Sequence, residues 1–231
     1  VDGVAPARTS DVKQTRGNWD YRYQADGRAD VPSDGQVHRL SVMFKPGEPA
    51  ARFRSVPRED VQVFREVELK NPLGVPLLDG PVDVYVEGSL LTTSQLGKVD
   101  TGGLLTVGMG VEDRVRAARN VRAEEENAGL LGGSTIVTQT VTIELQNSLG
   151  VPARLDLYDR LPVTDDKTIE VKQLSSAPEA EAYKQQDRGR PIRGGLHWKL
   201  TLAPGEKKTV EFKYRMSFNS KDELVGGNRR D

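Results

Sequence analysis

A ten-residue phrase occurs twice in this chain, as Val67-Glu-Leu-Lys-Asn-Pro-Leu-Gly-Val-Pro76 and as Ile143-Glu-Leu-Gln-Asn-Ser-Leu-Gly-Val-Pro152. Asn71 and Asn147 stand 76 residues apart, and each copy leads from an alternating apolar strand into a second strand, Val82-Asp-Val-Tyr85 or Leu155-Asp-Leu-Tyr158. Asn and Gly reach backbone angles that other residues avoid, and Pro closes a ladder or starts a strand, so the phrase marks a turn between strands. A strand–turn–strand unit made twice constrains architecture and carries no chemistry.

A length of 231 residues with a 76-residue period predicts two packed units, 1–130 and 131–231. The expected fold class is all-β: two tandem antiparallel β-sandwich units, immunoglobulin-like, with one short helix in an inserted loop. Thirty-three basic and 34 acidic residues give a net charge of −1, so no global field recruits nucleic acid or an anionic membrane. The hydrophobic fraction of 36% with a mean hydropathy of −0.55 fits sheets wet on one face. Zero cysteines exclude disulfides, thiolate nucleophiles and Cys-ligated metals. No apolar run reaches the roughly 18 residues of a membrane span, so membrane insertion is not expected. The chain starts at Val1 without methionine, and we expect an upstream leader or domain in the full gene product.

Along the chain, Asn18 to Tyr23 reads as a first strand with Trp19, Tyr21 and Tyr23 on one face. Such a stripe either fills the core under a sheet or stacks on a sugar chain. His38 to Phe44, Ala51 to Val56 and Val61 to Asn71 read as further strands. Val82 to Val86, Ser89 to Leu96 and Leu104 to Met109 complete the first unit. Val111 to Asn127 suits a helix by composition, yet Val115, Ala117, Val121 and Ala123 keep a period of two, and a strand is predicted. Gly129, Gly132 and Gly133 mark the boundary.

In the second unit Val141, Ile143 and Leu145, then Leu155 and Leu157, then Ile169 and Val171 mark strands. Leu196 to Leu202 and Val210 to Phe218 are expected to form the best-packed hairpin, reversing at Ala203-Pro-Gly-Glu206. Ser176-Ala-Pro-Glu179 has the spacing of a capping box and predicts two turns of helix over 180–186. The insertion from Ser176 to Gly195 has no counterpart in the first copy, and its Arg188, Arg190 and Arg193 are candidates for a partner contact.

The stretches Pro76-Leu-Leu-Asp-Gly-Pro-Val-Asp-Val-Tyr85, Val141 to Asn147, Asp159-Arg-Leu-Pro-Val-Thr-Asp-Asp166, and Trp198 to Glu206 leading into Val210-Glu-Phe-Lys-Tyr214 resemble one family. It is the C-terminal domain of the mucoidy inhibitor A-like proteins, a bacterial domain of unknown function, and the resemblance covers most of the chain. It implies a β-sandwich and, by name, an association with exopolysaccharide phenotype. In that family a smaller N-terminal domain and a coiled coil usually precede this domain. No catalytic residue is implied.

The search for chemistry yields little. A catalytic triad or a His-based zinc site needs more than His38 and His197, which read as ordinary surface or edge residues. Asp156, Asp159, Asp165 and Asp166 match no calcium-loop spacing and are expected to stabilise turns. No phosphate-loop or dinucleotide fingerprint occurs. No catalytic residue, metal or cofactor is therefore expected. Arg54 and Arg58 form a second small basic patch, better suited to acidic polysaccharide than to nucleic acid. The expectation is a non-catalytic interaction or scaffolding module, with the bacterial envelope or periplasm favoured over the cytoplasm as its location, meeting a protein partner or itself through strand edges. A carbohydrate-binding module and, more distantly, a hydrolase are the alternatives.

Overall fold

Alternating segments become twelve strands among the residues that the computed structural model describes, which are 21, 23, 25, 28–128, 133–184 and 192–221. The first half holds β1 (Ala50–Val56), β2 (Asp60–Lys70), β3 (Gly80–Val86), β4 (Ser89–Leu96), β5 (Leu104–Val111) and β6 (Val115–Ala128). The second holds β7 (Ser134–Asn147), β8 (Ala153–Arg160), β9 (Glu170–Ala177), β10 (Glu181–Tyr183), β11 (Gly195–Leu202) and β12 (Lys207–Asn219). The fold is all-β. The strands form a six-stranded sheet ordered β10-β11-β8-β1-β2-β5, a four-stranded sheet ordered β6-β7-β12-β9, and the β3-β4 pair. Strands from both sides of residue 130 share the two larger sheets, joined by the parallel pair β1–β8 and the antiparallel pair β6–β7.

The two larger sheets face each other over one core. Val141, Ile143, Leu157, Leu202, Val210 and Phe212 are fully buried there, and the Trp198 ring of β11 meets Phe212 of β12 at 5.6 Å. Each such side chain contributes about 1.5–3 kcal/mol relative to exposure. Ala203 to Glu206 therefore carries the chain from one sheet to the other, where a hairpin was expected. The apolar faces of β11 and β12 satisfy each other across the sandwich, and both strands find their ladder partners elsewhere.

The duplication keeps its register next to the corner, and the first copy departs from it at the irregularities by Phe64 to Glu66 and Val84 to Tyr85. β2 pairs β5 with Val67 opposite Val107, and β7 pairs β12 with Ile143 opposite Val210. β3 pairs β4 as β8 pairs β11, and β1 leads β2 as β6 leads β7. Each copy is thus a leading strand, an outer pair and an inner pair. The Asn side chain is the clamp at the corner. Asn147 accepts the Leu149 N–H at 2.9 Å and donates to Val151 O (3.0 Å), Leu202 O (3.0 Å) and Ala203 O (3.1 Å). Asn71 accepts the Leu73 N–H at 2.9 Å and donates to Val75 O (3.0 Å), Val99 O (3.4 Å) and Asp100 O (3.2 Å). Asn71 reaches 28 and 29 residues ahead, Asn147 reaches 55 and 56, and the extra residues hold β9 and β10.

Three local expectations change. His38 to Phe44 is not a strand, because alternation supplies two faces but no sheet edge pairs with it; Leu40 and Phe44 stay exposed. The helix over 180–186 is absent from the described part of that range. Glu181 to Tyr183 instead pairs along β11, where an open ladder outweighs helix propensity. The Ser176 hydroxyl caps nothing; it donates to Pro178 O at 2.6 Å and accepts from Trp198 Nε1 at 3.2 Å. Val111 to Asn127 is strand on either side of a short turn at Glu112 to Arg114.

Candidate functional site

Strand alternation places the charged residues of β8, β11, β1 and β2 on the outer face of the six-stranded sheet, and the parallel β1–β8 pair makes one network of them. Asp156 sits at its centre. One carboxylate oxygen lies 2.7 Å from His197 Nε2 and the other 2.7 Å from Arg52, which in turn reaches Glu68 at 2.5 Å. His197 stacks flat on Tyr158, with centroids 4.4 Å apart, and Tyr183 packs against both rings, 4.7 Å from Tyr158 and 6.0 Å from His197. Arg54 lies over the Tyr158 ring, its guanidinium carbon 5.1 Å from the centroid. At the sheet margin Lys199 bonds Glu181 at 2.7 Å, and the same carboxylate oxygen is 4.0 Å from His197 Nδ1.

Two groups record this environment in their protonation. Burial, followed by the nearby Asp156 charge, pushes the Tyr158 hydroxyl above its ordinary range. The hydrogen bond from Lys199 holds Glu181 below the usual carboxylate range. His197 is only 9% exposed although it lies on a solvent-facing row, because Tyr158 and Tyr183 cover it. It is not the ordinary surface residue expected from the sequence. Its one hydrogen bond is to Asp156, so the His–Asp pair meets no hydroxyl among the described residues. No group of three or more metal-ligating side chains occurs among the described residues.

Beside the network, Arg54, Arg58, Tyr158, Tyr183 and Ile192 line a cleft of about 270 Å³. Arg58 is held there by donating to Arg160 O at 2.9 Å. Beneath it, on the core side, Arg119 of β6 bridges the sheets to the fully buried Asp159 carboxylate at 2.8 Å. Asp159 also accepts the Arg160 N–H at 2.7 Å. Burial raises the nearby Tyr214 hydroxyl, which donates to Gln139.

The four Asp residues divide by role. Asp166 stabilises its own turn by accepting from Thr168 N–H and Oγ1, whereas Asp156 and Asp159 hold ion pairs between strands and Asp165 meets Arg193 at 2.8 Å. Trp19, Arg188 and Arg190 lie outside the described residues. Tyr21 is exposed and Tyr23 half-buried, its hydroxyl donating to Pro76 O at 2.5 Å. Neither is in a strand, so β-alternation does not align them. Arg193 is an exposed ion-pair residue, distant in role from the network. The sequence signal for the Asp156–His197 network was the polar row Asp156-x-Tyr158 and His197-x-Lys199, readable only with β8 and β11 paired.

These features define a β-sandwich protein built from a duplicated strand unit, with a charge-and-aromatic network on one outer sheet face. The chain belongs to the family described as Domain of unknown function (DUF4139), whose model matches residues 4–220. No curated protein and no solved structure matches it.

Proposed function

We propose that the chain is a non-catalytic interaction module whose first copy supplies the docking face. The bacterial envelope setting rests on the resemblance to mucoidy inhibitor A-like proteins alone. The observation that carries the reading is a difference in burial. In the second copy the inner pair β8–β11 turns Leu155, Leu157, Trp198 and Leu202 into a closed core. In the first copy Val82 and Val84, the counterparts of Leu155 and Leu157, are only half-buried, and the cross-strand pair Tyr85 and Leu90 is 61% and 56% exposed, with Leu91 at 44%. Tyr85 and Leu90 face each other across the β3–β4 ladder, and clustered apolar surface on a folded chain marks an interaction site. The ion pairs of the Asp156 network satisfy one another, which favours a structural part for it over a catalytic one. A photoreactive residue at Leu90 or Tyr85, introduced in cells, tests the docking face. We expect cross-links to one recurrent protein species from these positions and none from Arg154 or Lys199; equal or absent labelling from both sets contradicts it.

A second reading has its own observation. Arg54 and Arg58 beside Tyr158 and Tyr183 combine cations with aromatic faces, a pairing suited to an acidic sugar. This cleft is a better carbohydrate candidate than the Tyr21 and Tyr23 pair. Calorimetric titration with an acidic oligosaccharide, repeated on Arg54→Ala with Arg58→Ala, decides it: binding lost in the variant supports the cleft, and no heat with the native chain removes it.

A further inference from the structure

The duplication extends to strand pairs, and among the strands that both copies have, one pair lacks its counterpart. β1, leading the first copy, pairs in parallel with β8 of the second, setting Phe53 opposite Leu155 and Arg54 opposite Asp156. β6 leads the second copy in the same way: Arg54 lies opposite Phe64 and Arg122 opposite Thr140, and Phe64 and Thr140 are 76 residues apart like the two asparagines. β3 corresponds to β8, with Asp83 in the place of Asp156. The counterpart of the β1–β8 pair is therefore β6 beside β3, with Val121 opposite Val82 and Arg122 opposite Asp83. Within the described chain that pair does not form, since β6 ends its sheet and β3 pairs only with β4.

The unmade pair leaves visible traces. Phe53 is 5% exposed, whereas its counterpart Val121 is 46% exposed. Arg122 lies out in solvent, paired with Glu124 at 3.0 Å, and Asp83 meets Thr93 and, at 3.4 Å, Arg39. A strand of fourteen residues at a sheet edge is a ready template for another strand, and charges along it restrict which strand fits. An arginine on β6 and an aspartate on β3 at corresponding positions supply that restriction.

We propose that β6 of one copy of this chain takes β3 of a second copy as a parallel neighbour, with Arg122 opposite Asp83. When each copy both gives β3 and receives it on β6, two identical junctions form about a two-fold axis and the assembly closes as a dimer instead of growing as an open chain. A second copy fits better than the chain's own β3, which is tied to its corner by the Asn71 clamp and the Leu77–Val99 bridge and stays unpaired with β6. This inference rests on the reading of the chain as an interaction module and names one partner for it.

The test uses the absence of cysteine from the chain. Asp83→Cys with Arg122→Cys, oxidised, is expected to give a disulfide-linked dimer, and light scattering on the native chain a concentration-dependent dimer. Arg122→Asp weakens that dimer by on the order of ten-fold, through like charges at both junctions, and Asp83→Arg added to it restores association. Circular dichroism of Arg122→Asp stays native, because that side chain is 81% exposed. A native chain that remains monomeric at its highest soluble concentration overturns the inference, as does a disulfide formed within one chain. Cross-links from Leu90 in a monomeric chain leave the preceding reading standing, and a dimer without them does the reverse.

Discussion

Asn71 and Asn147 make the same set of hydrogen bonds at the same corner of the same repeated unit, yet in very different surroundings. Asn147 lies wholly inside, with every donor contact at 3.0–3.1 Å, under a sandwich whose two sheets close on each other. Asn71 is nearly as buried, but two of its contacts stretch to 3.2 and 3.4 Å and the inner pair that it anchors is largely open to solvent. The local phrase thus specifies the corner, and the partner sheet decides how much stability the corner carries. The second copy also has a device that the first lacks. Arg119 and Asp159 bridge its sheets, and the positions corresponding to them in the first copy are Ala51 and Val86.

Breaking that bridge is the strongest way to test the contrast. Arg119→Ala leaves the Asp159 carboxylate buried without its cation and is expected to cost about 3–5 kcal/mol in urea unfolding. A loss below about 1 kcal/mol means that the bridge is not what distinguishes the second copy. Next in size is the pair of asparagine variants. Asn147→Ala strands the buried Leu202 carbonyl, loosens the bond to Ala203 O and removes the support of the buried Leu149 N–H, at a cost of about 3 kcal/mol, while Asn71→Ala costs about 1 kcal/mol. Equal losses in the two variants contradict the difference drawn between the copies.

A smaller effect sharpens how the copies are joined. Glu112 turns the chain from β5 into β6, its N–H bonded to Val63 O at 2.8 Å. The hydrogen bond from Arg114, opposed by burial and aided by Arg65, holds its carboxyl below the ordinary value of 4.5. A folded pKa below the unfolded one stabilises the fold above the unfolded value, and that stability disappears as pH falls through the folded one. The native chain therefore loses stability on acidification below about pH 4.5, and Glu112→Gln flattens that limb of the pH–stability curve. An unchanged acid limb in the variant assigns the loss to other carboxylates. Smallest of all, Leu90→Lys on the open pair should alter stability by less than about 0.5 kcal/mol, because the side chain is already 56% exposed.

Strand existence was legible because period-two alternation is a local property, and the repeated phrase gave the register relating β2 to β7 before any pairing was known. What escaped was set by neighbours distant in the chain. The parallel β1–β8 pair brings Arg52 to Asp156 across more than a hundred residues, and no local pattern announces it. His197 reads as a surface residue because it alternates onto the solvent side of β11, but its cover, Tyr158 and Tyr183, arrives from two other strands. Conversely His38 to Phe44 has a strand's pattern and no edge to join, and Glu181 to Tyr183 has a helix's composition and an edge that claims it.

The central claim, that one repeated unit is closed and its copy open, is tested most directly by native-state hydrogen exchange on the monomer. Amides of the β7–β12 ladder around Ile143 and Val210 should exchange only through global unfolding, and those of the β3–β4 ladder around Val82 to Val84 at least ~100-fold faster through a separate local opening. Equal protection in both ladders would contradict the account.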